Sequence, residues 1–217
     1  MRRPFSFSLH EFYHLYNRGT EKRIIFMDTD DWEHFLSLLY LCNNKNPIVF
    51  RELPHKDLFN VERGETLVDI GAYCLMPNHF HILVREKIEN GISNFMKKLS
   101  TAYSMYFNTK YERTGSLFEG TFKAHHADTD RYLKYLFSYI HLNPVKRIEP
   151  DWKTNLRTDS KKIFDYVNTY AYSSFQDYKN ERKESIILQK NVFPEYFETK
   201  AEVNKSLIEW LSYHTED

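Results

Sequence analysis

Two apolar runs joined by a short proline-containing turn constrain this chain most. Residues 66–75, Thr-Leu-Val-Asp-Ile-Gly-Ala-Tyr-Cys-Leu, precede Met76-Pro77-Asn78, and residues 79–84, His-Phe-His-Ile-Leu-Val, follow it. Runs rich in β-branched and aromatic residues, bounded by turn formers, read as paired strands. The segment therefore predicts an antiparallel hairpin. Side chains at i and i+2 of a strand project from one face. His79 and His81 share a face, Phe80 points the opposite way into a core, and Ile82 and Val84 alternate with Leu83 as in a strand buried on both sides. Two imidazoles that reach one point suit a divalent cation, because neutral imidazole is the commonest protein metal ligand. Core packing explains an isolated His-x-His as well, so a second motif has to decide.

The flanking chain completes an α+β pattern. Residues 11–18 read as a first strand closed by Gly19. Asp28 to Asn43 reads as a helix, with Phe35, Leu38, Leu39 and Cys42 at helical spacing behind N-terminal aspartates. Gly91 to Tyr111 is a second helix, with Ile92, Phe95, Met96, Leu99, Ala102, Tyr103 and Tyr106 on its apolar stripe. Residues 113–126 read as a loop or short hairpin, and Asp128 or Thr129 caps a third helix running to about Leu142. This order predicts helices packed on an antiparallel sheet. Residues 1–150 form the principal domain; residues 151–217 are expected to be a C-terminal extension, with a short element at Tyr172–Tyr178 and a helix near Ala201–Leu211.

Composition narrows the function classes. The 217 residues, 41% of them hydrophobic, suffice for a sizeable core. Only 6 glycines occur, and no glycine-rich phosphate loop is present. Cys42 and Cys74 stand far apart in apolar contexts, which argues against a zinc knuckle or a disulfide framework and fits a reducing cytoplasm. No stretch approaches the roughly 20 apolar residues of a membrane span. The formal net charge of zero hides a gradient: residues 91–147 carry nine Lys/Arg against four Asp/Glu, and residues 181–217 carry five against eight. A basic middle segment is compatible with phosphate contacts, and equally with solvated helix faces.

The second motif ends the third helix: Tyr139-Ile140-His141-Leu142-Asn143-Pro144-Val145-Lys146-Arg147. Tyr139 and Asn143 are four apart and lie on one helix face. Asn143 can offer a carboxamide oxygen to a metal while Tyr139 presents its hydroxyl to whatever that metal holds. Pro144 disfavours helical geometry at Asn143, so the pair is expected at the very end of the helix. Taken singly, Asn143 also reads as a helix-boundary residue and Tyr139 as core.

Together, Pro77-Asn78-His79-Phe80-His81-Ile82-Leu83-Val84 and Tyr139–Arg147 resemble the single-tyrosine HUH transposases. The likeness is greatest to the REP-associated tyrosine transposases and their IS200-like relatives. Tyr13–Gly19, Gly115–Lys123 and Tyr172-Ser173-Ser174-Phe175 agree with it, so it spans roughly residues 8–180. It implies a ferredoxin-like antiparallel sheet with helices packed on it, the palm of the HUH endonucleases. It also implies His79, His81 and Asn143 as ligands of Mg²⁺ or Mn²⁺, and Tyr139 as nucleophile. The implied reaction is cleavage and strand transfer of single-stranded DNA beside a hairpin, either a repetitive extragenic palindrome or a transposon end, through a 5′-phosphotyrosine. A monomer is favoured over a homodimer. Arg18, Lys97, Lys98, Arg113, Lys123 and Arg147 are candidate DNA contacts by charge and neighbourhood. The competing readings are a catalytically silent relative that binds hairpins as a regulator, and an unrelated metal-binding α+β domain with Tyr139 in its core.

Overall fold

Alternation along the strands builds a sheet with two unlike faces. The computed structural model describes residues 6–47, 49, 52, 58–150, 160–178 and 182–193. Strands β1 (Phe12–Arg18), β2 (Val68–Met76), β3 (His79–Glu86) and β4 (Lys123–His126) form one four-stranded sheet in the order β2-β3-β1-β4, every neighbouring pair antiparallel. Helices α1 (Thr29–Leu41) and α2 (Gly91–Lys110) follow β1 and β3; α3 (Asp130–Leu142) follows β4, and α4 (Ser160–Thr169) comes last. The order β1-α1-β2-β3-α2-β4 with this sheet is the expected ferredoxin-like arrangement.

One face packs against α1 and α2. Tyr13 and Leu15 of β1, Ile70, Tyr73 and Leu75 of β2, and Phe80, Ile82 and Val84 of β3 join Phe35, Leu39, Phe95, Leu99 and Tyr103 in one core. The other face packs against α3 and α4: Ala72, Cys74, Met76 and Leu83 meet Leu133, Phe137, Ile140, Ile163 and Val167. In β2 the inward positions change parity between Ile70 and Tyr73. A bulge between Ile70 and Ala72 makes that switch, and it sits at Gly71, where a Cβ would lie 2.4 Å from the Phe193 ring.

Helix ends follow their sequence signals. Asp28 caps α1 by accepting from Asp31 N, and the buried Asp31 carboxylate accepts in turn from Lys110 Nζ at 2.9 Å and Tyr111 Oη at 2.8 Å, tying α1 to α2. Thr129 caps α3.

Two expectations change. Residues 123–126 form no hairpin of their own; they add an edge strand to β1. Asn143 keeps right-handed helical dihedrals (φ −55°, ψ −39°) despite Pro144, because the chain tightens into a 3₁₀ turn over Asn143–Arg147 whose Pro144 and Val145 are buried. The helix expected near Ala201–Leu211 lies outside the described residues. Tyr172–Phe175 runs along the outer edge of β2, with Leu75 N donating to Tyr172 O (2.9 Å) and Ser174 N to Tyr73 O (3.0 Å). Among the described residues, no helix is long and apolar enough to cross a membrane.

Candidate active site

The strand register fixes which side chains meet. His79 pairs with Arg18 and Met76, His81 with Tyr16 and Cys74, and His14 with Leu83 and His125. On the α3 side of the sheet this gathers His79, His81, His14, Tyr16 and His125, while Phe80 is buried in the opposite core.

Each histidine of the pair is oriented by a neighbour. His79 Nδ1 lies 2.6 Å from Asn78 Oδ1, while Asn78 Nδ2 donates to Lys22 O at 3.2 Å. Asn78 Oδ1 can only accept, so the His79 proton sits on Nδ1 and Nε2 keeps its lone pair. His81 Nδ1 lies 2.9 Å from His14 Nε2. Burial lowers the His14 pKa to about 3, with the charge of His125 as a second cause. Burial likewise lowers His79 to about 4, helped by the charge of Lys146 and opposed by the Asn143 amide. Both rings are neutral at pH 7, the state in which imidazole binds metal.

Helix α3 brings Tyr139 onto this face. Its ring packs edge-on against His81, centroids 5.4 Å apart at 82°, and against His14 at 6.0 Å. Burial raises the Tyr139 pKa, and the Asn143 amide works against that rise. The phenol is therefore protonated at neutral pH, and any nucleophilic role needs an activated electrophile. Asn143 is 1% exposed, and its amide reaches toward His79 and Tyr139 without either atom attaining good hydrogen-bond geometry. An orphaned buried amide of this kind costs about 1–3 kcal/mol and calls for an explanation.

The donor set fits a divalent cation. Two imidazoles and a buried amide oxygen offer mixed nitrogen and oxygen ligands, suited to Mn²⁺ or Mg²⁺. No group of three or more His, Cys, Asp and Glu that could hold a metal occurs among the described residues. The third donor would have to be Asn143.

Residues 40–143, which contain both histidines, Tyr139 and Asn143, match the family model described as transposase, IS200-like. The match takes in just under half of the chain, and over these residues the chain is similar to the IS200-like transposases. No curated protein matches the chain. Among solved structures, it is similar to one titled as the REP-associated tyrosine transposase bound to a REP hairpin. The identity is 12% and the TM-score 0.49, over 89% of this chain and 88% of that one.

The remaining candidate residues divide by layer. Arg18 and Lys123 line a cleft of about 340 Å³ together with Lys22, His79, His81 and Tyr139. Arg18 is held there by Glu119, through contacts of 2.5 and 3.1 Å. Arg147 lies close to the third helix, its guanidinium 5.8 Å from the Tyr170 ring. Lys97 and Lys98 stand on α2, across the sheet from the cleft, where Lys98 Nζ donates to the carbonyls of Asn44 and Asn46. Arg113 closes the end of α2, bonded to Asn108 Oδ1 at 3.1 Å. The structure gathers the two histidines, Tyr139 and Asn143, with Arg18 and Lys123 at the rim; it does not bring Lys97, Lys98 or Arg113 to them.

Sequence reasoning passed over Asn78, His14 and Tyr16. Asn78 stood in the quoted motif as a turn residue. His14 and Tyr16 alternate with Tyr13 and Leu15 in β1, and that period-two pattern becomes informative once β1 is paired with β3.

Proposed function

We propose that this chain is an IS200-like transposase, a divalent-metal-dependent single-stranded DNA endonuclease and strand transferase with Tyr139 as nucleophile. The observation that carries the reading is the packing of the Tyr139 ring on His81, beside the buried and unsatisfied Asn143 amide. A cation held by His79, His81 and Asn143 would supply Lewis-acid polarisation of the scissile phosphate.

The chain's own groups do the rest. Tyr139 Oη attacks phosphorus, the bond from phosphorus to the 3′-oxygen breaks, and a 5′-phosphotyrosine and a free 3′-hydroxyl result. The phosphodiester energy is kept in the tyrosyl ester, so a 3′-hydroxyl can reverse the step and join strands. Asn78 holds His79 in its ligating tautomer, and a His81 Nδ1–H that donates to His14 would do the same for His81. Arg18, Lys22 and Lys123 supply cationic walls for a polyanion. A duplex is too broad for a cleft between a helix and a sheet, which favours a single strand at the cut. The hairpin beside it rests on the likeness of the motifs to the REP-associated branch, and a soluble cytoplasmic monomer is the accompanying expectation.

The test is incubation with labelled hairpin-bearing single strands plus Mn²⁺ or Mg²⁺. Wild type should form a covalent protein–DNA adduct that Tyr139→Phe cannot form. Hairpin binding without any adduct in wild type would favour the silent regulator. Neither binding nor an adduct would leave an unrelated metal-binding domain.

A further inference from the structure

A second phenol stands in the cleft. Tyr16 lines it with Tyr139. It rises from β1, directly opposite His81 in the register, with ring centroids 5.8 Å apart. Tyr139 reaches the same histidine from α3 at 5.4 Å. His81 is thus flanked by two phenols from different layers, one from the helix above and one from the strand beside it.

The Tyr16 hydroxyl has a partner that leads outward. It lies 3.1 Å from His125 Nε2, and the two rings stack nearly parallel, 5.7 Å apart at 4°. His125 belongs to edge strand β4 and is exposed, so it meets bulk water. If His125 Nε2–H donates to the Tyr16 oxygen, the phenolic hydrogen is left to turn into the cleft.

The proposed cleavage needs such a group. A phosphodiester expels an alkoxide 3′-oxygen, a poor leaving group unless it receives a proton as the bond breaks. We propose that Tyr16 is a catalytic residue for this reaction, donating its phenolic proton to the departing 3′-oxygen while Tyr139 attacks. The bond from Tyr139 Oη to phosphorus forms and the bond from phosphorus to the 3′-oxygen breaks. The Tyr16 proton ends on the 3′-oxygen. Tyr139 releases one proton to water, and Tyr16 regains one from water by way of His125, so the balance closes. Attack from the helix side and departure on the strand side suit in-line displacement. The Arg18 guanidinium, which shares the cleft with Lys22 and Lys123, is occupied by Glu119 and does not titrate.

The inference rests on the nuclease reading, and the leaving group separates the two in an experiment. Adduct formation is followed under single-turnover conditions with wild type and Tyr16→Phe, on a natural strand and on one whose scissile 3′-oxygen is replaced by sulfur. A thiolate departs without a proton. Tyr16→Phe should slow the natural substrate by about 10²-fold or more and the 3′-thio substrate by less than about threefold, with unchanged hairpin affinity. Equal slowing on both substrates, or no slowing on the natural one, overturns the proposal while leaving Tyr139 as nucleophile. An adduct in Tyr139→Phe that disappears when Tyr16→Phe is added would make Tyr16 a nucleophile and overturn it too. Absence of any wild-type adduct on either substrate defeats the nuclease reading itself. Should Tyr16→Phe fail to fold by circular dichroism, Tyr16→Gln puts the same question.

Discussion

His81 Nδ1 and His14 Nε2 are 2.9 Å apart, a hydrogen-bonded imidazole pair on neighbouring strands. A ligand histidine whose second nitrogen is so held binds metal in one orientation, and removal of such a partner weakens affinity about 10–100-fold. His14→Ala should lower Mn²⁺ affinity by that factor in calorimetry while the far-ultraviolet circular dichroism stays native. Unchanged affinity would show that His14 merely packs.

Asn143 sets stability against function. Its amide is buried with both polar atoms unsatisfied, and an apolar group of similar shape removes that penalty. Asn143→Leu should raise the melting temperature while abolishing metal-dependent adduct formation. A lower melting temperature would mean that the amide is satisfied in solution.

Acid should weaken the fold. His14, His34, His79 and His141 have pKa values lowered to about 3, 4, 4 and 3, burial being the first cause for each. Below pH 6.5 the unfolded chain takes up protons at these rings that the folded chain refuses. Stability is therefore complete above pH 6.5 and falls as pH drops toward 3, by at most about 1.4 kcal/mol per pH unit for each ring. Urea titrations at pH 7.5 and 5 measure the slope, and replacing the fully buried His141 by Gln should reduce it. A flat profile between these pH values would contradict the burial of all four.

On the proposed reading, Glu119 competes with DNA for Arg18. Their side chains are 42% and 44% exposed, and solvent screens so exposed a pair. Glu119→Gln should therefore tighten hairpin binding by a few-fold in fluorescence anisotropy at low salt, and the gain should fade as salt rises. Weaker binding would mark Glu119 as a contact rather than a competitor.

Gly71→Ala probes the bulge in β2. A Cβ there meets the ring of Phe193, itself 5% exposed. Displacing that ring should cost about 1–3 kcal/mol in denaturant unfolding. A loss below about 0.5 kcal/mol would show that Phe193 leaves its seat easily.

The hairpin, the first two helices and the facing of His79 and His81 were legible because period-two and period-3.6 patterns are local. Strand β4 was not. Lys-Ala-His-His carries no apolar alternation, and its pairing with β1 joins residues more than a hundred positions apart. Asn143 was expected at the very end of the helix and caps α3 there; the burial of Pro144 and Val145 overrides only the dihedral preference that proline imposes on its predecessor. Charge was the least informative signal. Lys97 and Lys98 read like Lys123, and only the layering of α2 across the sheet separates them from the cleft.

The phenol and the imidazole pair belong to different layers, joined through the second core. His141 of α3 bonds Ser174 at 2.8 Å, Tyr170 bonds the Leu75 carbonyl at 2.8 Å, and Phe175 is buried in the same core. A copy of the chain broken ahead of residue 160 would keep every strand that carries an imidazole and lose this clamp on the helix that carries the phenol. On the proposed reading, such a remnant recognises without cutting: a broken copy becomes a competitor of the intact one.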